Sequence, residues 1–354
     1  MEVIISSTVS STVLVITNDH DEHADAVIEE LDRRAVRVFR FNPEEFTRGA
    51  SISMDICNGR IDGEIRTANG QVAFHDICAA WYRRSRALFA PLPSMNALCG
   101  DLENFVTVQS NAALSGLFSG LQTLWVGQPF RLRQADVKAV QLAQASNAGL
   151  TTPKTLISND ASRVSAFVEA LGYTDCAIKP LVATRVDGEE VARLPITTIL
   201  PRGHALDSAA LSPTIFQPYI EKAYELRCVV MGERIFTAKM DTQAHESTRT
   251  DWRAGLVEQM RYEVFDLPDR VQAGLHRLMS SFGINFASID MIVTPEGDFV
   301  FLDLNPNGQW LWLEEELGLP LVAAMADLLT TDYSPATEAA PAADVTILES
   351  AHGA

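Results

Sequence analysis

Two strongly apolar runs near the end of the chain, Phe286 to Val293 and Asp298 to Asn305, carry carboxylates where buried strands normally carry none. Neither run has helical spacing, and Thr294-Pro295-Glu296-Gly297 between them is rich in turn residues, so the pair is predicted to be a β-hairpin. Side chains alternate along a strand, which puts Asp303 and Asn305 on one face. The hairpin register adds Asp290 to that face, opposite Asp303 or two positions away, among Phe299, Phe301 and Ile292. Two carboxylates so placed repel each other and lose hydration, at a cost on the order of several kcal/mol unless one takes up a proton or a cation sits between them. A set of oxygen ligands this small suits Mg²⁺, which shares its shell with water and phosphates. The same pattern fits the solvent-facing side of an edge hairpin, and the run alone does not choose.

The beginning of the chain constrains the rest of the fold. Thr12 to Thr17 is a continuous apolar run, Ala24, Val27, Ile28 and Leu31 then recur at helical spacing, and Val36 to Phe41 is a second strand. This is the βαβ pattern of a parallel sheet. Ser51 to Ile56, Ile61 to Thr67 and Gln71 to Phe74 are predicted as strands at the edge of that sheet, followed by a strand from Ala79 to Arg83, a long helix from about Asp101 to Gly120, and the strand Leu124 to Val126. A helix from Arg133 to Ala148 opens a small α/β unit with strands Lys154 to Ile157 and Cys176 to Leu181. The helix between those strands has Asn159 or Asp160 as its cap. From Thr214 onward the strands are mostly antiparallel, with helices Asp269 to Phe282 and Leu319 to Leu329. After Thr331 the chain is too poor in large apolar groups to repay ordering.

Other residues draw attention because their type is scarce or their setting odd. Only five of the 28 basic residues are Lys, and two of these, Lys138 on an apolar helical pattern and Lys179 at the end of a buried-looking strand, suit phosphate oxygens better than a guanidinium would. Each also fits a snorkelling surface lysine. Pro218, Tyr219 and Ile220 end a strand in a manner that lets a carbonyl and an N–H meet a purine edge, or that merely turns the chain. Glu225 and Arg227 share a strand face, as a ribose and anion contact or as a surface ion pair. Arg253 beside Trp252 is an anion clamp or a loop anchor. Trp81 to Arg86 concentrates three arginines that either meet an acidic peptide or protect an edge strand. His20 and His23, among Asp19, Asp21 and Glu22, fit acids placed at a positive helix end better than they fit a metal site.

Composition removes several functions. A formal charge of -18 repels phosphate backbones, so nucleic-acid binding is not the main role expected. No apolar stretch is long enough to span a membrane. The five scattered cysteines form no CxxC and Met1 to Ser11 has no basic signal-peptide start, which together point to reduced thiols in the cytoplasm.

In their order, Lys138, Lys179, the segment Gln217 to Ile220, Arg227 and the Asp290, Asp303, Asn305 triplet resemble the ATP-grasp superfamily. Thr17 to Asp21 (TNDHD), Trp81 to Arg84 (WYRR), the LWV segment before Pro129, Pro153 to Asp160 (PKTLISND), DWR and Asp303 to Glu314 (DLNPNGQWLWLE) look like the microviridin-type ribosomal peptide maturases, the graspetide synthetases.

The resemblance implies an α/β (α+β) three-part ATP-grasp fold: an N-terminal parallel βαβ domain at 12–127, a small central α/β part at 128–213, a mainly antiparallel C-terminal part at 214–330, and a disordered tail at 331–354. It implies that Lys138 and Lys179 hold phosphates of ATP, Pro218, Tyr219 and Ile220 the adenine and Glu225 the ribose. Asp290, Asp303 and Asn305 would hold Mg²⁺, and Arg227 and Arg253 the peptide carboxylate and the migrating phosphoryl group. The implied enzyme is a homodimeric ligase. It phosphorylates Asp or Glu side chains of a precursor peptide and closes ester or amide macrocycles with Ser, Thr or Lys. Two other readings stay open: a ligase that adds an amino acid to a protein tail or small acid, and a non-catalytic ATP- or peptide-binding module. The loop after Lys179, with no glycine before Gly188, favours the last.

Overall fold

The computed structural model of the chain describes residues 11–47, 49–83, 100–172, 175–182, 197–200, 211–244, 246–254 and 260–331. Arg84, Arg86, His245, Gly188 with most of the loop after Lys179, and the tail beyond Thr331 lie outside the described residues.

The opening apolar run becomes β1 (Thr12–Ile16), buried along its whole length because both of its faces are covered. Helix α1 (Glu22–Arg33) buries Ala24, Val27 and Leu31, the helical stripe of the sequence. Strand β2 (Arg37–Phe41) returns parallel to β1. Next come β3 (Ser51–Cys57), β4 (Arg60–Thr67) and β5 (Gly70–Ala73), then β6 (Ile77–Tyr82), α2 (Gly100–Gly120) and β7 (Leu124–Val126). The parallel sheet has the order β2-β1-β6-β7. Strands β3 to β5 do not extend its edge as expected but form an antiparallel sheet of their own. Their short hairpins satisfy each other's backbone groups, and Ile65 and Val72 join the main core through side chains rather than through strand pairing.

The single helix predicted from Arg133 to Ala148 is broken into α3 (Pro129–Ala135), whose N-cap Gln128 accepts from two backbone N–H groups, and α4 (Lys138–Asn147). A buried side chain accounts for the break. The Gln141 amide donates to the freed carbonyl of Ala135 (2.6 Å) and to that of Leu304 (2.7 Å), and its oxygen accepts from the Leu304 N–H (3.2 Å). The interruption also puts Lys138 at the start of a helix facing the C-terminal sheet.

The small central unit contains β8 (Leu156–Ser158), α5 (Ala161–Ala170), β9 (Cys176–Lys179), β10 (Thr198–Leu200) and β11 (Thr214–Pro218), in an antiparallel sheet of order β10-β9-β11-β8. Asp160 caps α5 by accepting from the N–H groups of Ser162 and Arg163. Val164, Cys176 and Phe216 form its small core.

The C-terminal unit runs β12 (Tyr224–Met231), β13 (Arg234–Met240), β14 (Tyr262–Val264), α6 (Asp269–Phe282), β15 (Phe286–Val293), β16 (Phe299–Asn305), α7 (Leu311–Leu317) and α8 (Leu321–Leu329). Its antiparallel sheet has the order β14-β13-β12-β15-β16. One apolar cluster joins β1, β6 and α1 to α8, β12 and β15, so the N-terminal sheet and the last helix share a core.

Candidate active site

Between the small sheet and the C-terminal sheet lies a cleft of about 380 Å³. Ten of the eleven site residues expected from the sequence line it: Lys138, Lys179, Pro218, Tyr219, Ile220, Glu225, Arg253, Asp290, Asp303 and Asn305. The eleventh, Arg227, reaches it through Asp290.

The carboxylate pair comes from the register of β15 and β16. Asp290 pairs with Asp303, and the register then slips so that Met291 faces Phe301, leaving Leu302 as an extra residue in the ladder. This bulge corrects the sequence reading of the surroundings. Phe301 and Phe299 pair with Met291 and Val293 and pack with the main core, while Ile292 and Leu302 stay on the cleft side with the two aspartates. Nor is this face a solvated edge. Strand β15 is interior to its sheet and Asp290 is 6% exposed.

Each carboxylate has cationic company. Arg227 donates from Nη1 to Asp290 Oδ1 (2.7 Å) and from Nη2 to the Gln309 carbonyl (2.8 Å), while Arg253 Nη2 stands 3.5 Å from Asp290 Oδ2. Lys138 donates to Asp303. Burial raises the Asp303 pKa, against the pull of Lys138 and with a further push from Asp290. Burial works against the charge of Arg253, yet Asp290, Asp251 and Asp303 together hold its pKa above the ordinary value.

The sequence reading missed two charged groups here. Lys222 donates from Nζ to Glu225 Oε1 at 2.5 Å and to the Thr250 carbonyl at 3.2 Å, both side chains being buried. Glu225 is therefore not an ion-pair partner of Arg227, and burial raises its pKa despite Lys222. Asp251 accepts from the N–H groups of Thr197 and Arg253, and although burial opposes it, the nearby Arg253 charge and these N–H groups lower its pKa. Trp252 closes this wall, with the guanidinium carbons of Arg227 and Arg253 each 6.0 Å from its ring.

Lys179 differs from its neighbours in having no hydrogen-bond or ion-pair partner among the described residues. Burial lowers its pKa, more than Asp303 and Asp251 raise it. At the end of β11, Tyr219 spends its N–H on the Asp175 carbonyl (2.6 Å), whereas the N–H of Ile220 has no partner among the described residues. The remaining lysines, Lys154 over the Phe167 ring and Lys239 beside Glu263, lie elsewhere.

A free ammonium, a free backbone donor and three of the chain's five lysines collected in one cleft of an acidic protein fit a polyanion that also carries a hydrogen-bonding base. Oxygen donors from Asp290, Asp303 and Asn305 fit a hard cation. Among the described residues no group of three His, Cys, Asp or Glu could hold a metal alone, so phosphate and water would have to complete its shell.

Of the remaining motifs, Trp81, Arg83 and His23 are buried, whereas His20 is exposed. Strand β6 is interior, and neither Trp81 nor Arg83 is available to a peptide or a sheet edge. His23 is buried as well, and its Nε2 accepts backbone N–H groups rather than holding a metal.

Comparison with known proteins finds structures of the same fold. Residues 12–133 match the family model of the MvdD pre-ATP grasp domain. The macrocyclase MdnC from Microcystis aeruginosa MRC, solved bound to precursor peptide MdnA, is 27% identical with a TM-score of 0.78, covering 90% of this chain and 99% of its own. A RiPP-associated ATP-grasp ligase from Chryseobacterium gregarium, solved with ADP and a leader and core peptide, is 25% identical with a TM-score of 0.83, covering 92% and 98%. The macrocyclase MdnB from Microcystis aeruginosa MRC has the same fold at 23% identity and a TM-score of 0.73, covering 91% and 99%. No match is found among curated proteins. The resemblance read from the sequence, and the three-part α/β architecture it implies, hold over nearly the whole chain.

Proposed function

We propose that the chain is an ATP- and Mg²⁺-dependent ligase that activates Asp or Glu side chains of a ribosomally made precursor peptide and joins them to Ser or Thr hydroxyls, or Lys amines, as macrocycles. The observation that carries this reading is the cleft itself. It has the Lys179 ammonium and the Ile220 N–H, neither with a partner among the described residues, on one wall and the Asp290 and Asp303 carboxylates on the other. MdnC and the Chryseobacterium ligase, whose structures contain peptide and, in the latter, ADP, support it.

In this reading Lys179 takes phosphate oxygens, Pro218 to Ile220 take the adenine edge beside Tyr219, and Glu225, steadied by Lys222, takes the ribose. Asp290, Asp303 and Asn305 hold the metal. Lys138 neutralises Asp303 and passes to a phosphate oxygen when that carboxylate takes the cation. Arg253, whose side chain is 49% exposed, receives the peptide carboxylate and the transferred phosphoryl group. Arg227 is 4% exposed and already committed, so we assign it to holding Asp290 rather than to the substrate. Bound Mg-ATP supplies the phosphoryl group that makes the peptide carboxylate an acyl phosphate. The protein contributes position and charge balance rather than a nucleophile of its own. The free thiols among the described residues support a cytoplasmic setting, and Leu102, Phe105 and Val108, exposed on α2, support a homodimer.

The test is incubation with a short Thr- and Glu/Asp-rich precursor encoded beside the gene. Peptide mass should fall by one water per cross-link, only with ATP and Mg²⁺. An unchanged mass would overturn the reading, and a gain would mean that an amino acid is added instead.

A further inference from the structure

The segment between β16 and α7 is fastened through its backbone by side chains from the other end of the chain. Arg83, fully buried, donates from Nη1 to the carbonyls of Asn307 and Gly308, both at 3.1 Å. His23, 7% exposed, accepts at Nε2 from the N–H groups of Trp310 (3.0 Å) and Leu311 (3.1 Å). Between these anchors, the Gln309 carbonyl accepts from Arg227, the residue that holds Asp290. Asp21 stands behind both anchors, 3.4 Å from Arg83 Nε and 3.8 Å from His23 Nδ1, and accepts from the Thr17 hydroxyl at 2.8 Å.

Two features show that this is more than packing. Taking a carboxylate, a guanidinium and an imidazole out of water is costly, and apolar residues of like volume would hold a loop more cheaply if its position did not matter. The second feature is room: a Cβ at Gly308 would stand 2.4 Å from Ser288 Cβ and 2.9 Å from Arg227 Nη2, so the loop backbone lies directly against the site. Because Nε2 accepts from two N–H groups, His23 must be neutral with its proton on Nδ1, toward Asp21.

We propose that His23 is a positioning residue for the magnesium-binding carboxylate: with Asp21 and Arg83 it sets the 307–311 loop, whose Gln309 carbonyl aims Arg227 and thereby Asp290. The proposal rests on the assignment of Asp290 to Mg²⁺ above.

The test compares His23→Phe, which keeps the ring and its edge against Trp310 but loses the acceptor, with His23→Gln, which keeps an acceptor. Mg²⁺ is titrated into the ADP complex of the full chain by calorimetry, ADP binding is measured without metal, and amide hydrogen exchange is followed over 305–311. Changes to residues that orient a metal's ligands typically cost about 10- to 100-fold in metal affinity. H23F is therefore expected to weaken Mg²⁺ about tenfold while leaving metal-free ADP binding within about twofold, and H23Q to stay within about threefold in both. Unchanged Mg²⁺ affinity in H23F, or equal damage in H23Q, overturns the proposal. If H23F does not fold, Asp21→Asn must show the same selective loss, and a wild-type Mg²⁺ affinity there overturns it too. A wild-type chain that binds neither ADP nor Mg²⁺ would defeat the ligase reading instead. Exchange then decides the strut by itself: the Trp310 and Leu311 amides must exchange faster in H23F than in H23Q, and equal rates reject it.

Discussion

Lys179 shows how one side chain can be legible in a sequence when its partners are not. A lysine closing an apolar strand is an anomaly that propensity does not explain, and the structure leaves it without a protein partner among the described residues. A charge-assisted contact is worth about 1.5–3 kcal/mol, so Lys179→Met should weaken nucleotide binding about 10- to 100-fold, measured by calorimetry, without changing the fold. The pH dependence carries a sign. Burial lowers the Lys179 pKa from 10.5, so the charge that attracts phosphate is complete below the lowered value and lost as pH rises through it. Metal-free nucleotide affinity should therefore fall on the alkaline side earlier than an ordinary lysine would allow, and Lys179→Arg should move that limb upward. An identical limb in K179R would reject the assignment. The same burial costs stability, which should rise with pH between the lowered value and 10.5, because the folded state holds this proton less tightly than the unfolded chain. Lys222 and Asp251 escaped notice for a physical reason: in polar connections a charge is unremarkable, and only tertiary burial turns them into parts of the site. The thiols give a separate check. Burial pushes the Cys228 thiol up to about 12, whereas Cys57 is exposed, so alkylation at neutral pH should label Cys57 and spare Cys228 until the protein unfolds.

At the scale of the element, the metal-binding face depends on how one extra residue in β16 is absorbed. Strict alternation over Phe299 to Asn305 would put Phe301 and Asp303 on the same side, which is how the sequence reads at first. The bulge at Leu302 separates them, sending the phenyl ring to the core and the carboxylate to the cleft. The spacing does contain a trace of this. The core residues Phe301 and Leu304 stand three apart, not two, which period-2 alternation cannot satisfy without an insertion. The split between α3 and α4 left no comparable trace, because it depends on where Gln141 meets Ala135 and Leu304, and no local propensity encodes that meeting. Deleting Leu302 should remove the extra residue and leave Phe301 opposite Met291 and Asp303 opposite Asp290 in simple alternation, each still on its own face. The Tm of the deletion variant should therefore stay near that of Leu302→Ala, since both lose the same side chain and keep the same pairs. If the deletion instead turned Asp303 into the core, the uncompensated buried charge would cost about 3–5 kcal/mol, a large share of a typical stability of about 5–15 kcal/mol. A deletion variant that unfolds, or melts far below Leu302→Ala, would mean that the bulge itself is needed to set the face.

Across the whole molecule, the order of strands and helices was legible but their assignment to sheets was only partly so. The parallel βαβ start and the antiparallel end follow from local patterns. The separation of β3 to β5 from the parallel sheet does not, and neither does the pairing of β11 with β9 and β8, because both depend on which distant edge each strand meets. The consequence is a cleft whose walls have unequal support. Strands β12 and β15 sit in cores continuous with the N-terminal sheet and α8, while the small sheet that carries Lys179 and the Pro218 to Ile220 segment rests on little more than Val164, Cys176, Phe216 and a few half-buried neighbours. Regions with few buried apolar contacts open locally at lower free energy than the core. Amides of β9 and β11 should therefore exchange faster than those of β12 and β15 in the free protein, even though all four strands line the same cleft. Adding Mg-ADP should slow exchange in β9 and β11 by bridging them to the rigid wall, at a hundredfold excess over Kd by an amount worth about 2.7 kcal/mol if the opened state does not bind. Lys179→Met should reduce that protection more in the small sheet than in β12 or β15, since it removes the contact on the weaker wall. If the free protein shows equal protection on both sides, or if nucleotide protects only the C-terminal sheet, the cleft does not close by joining a soft wall to a firm one.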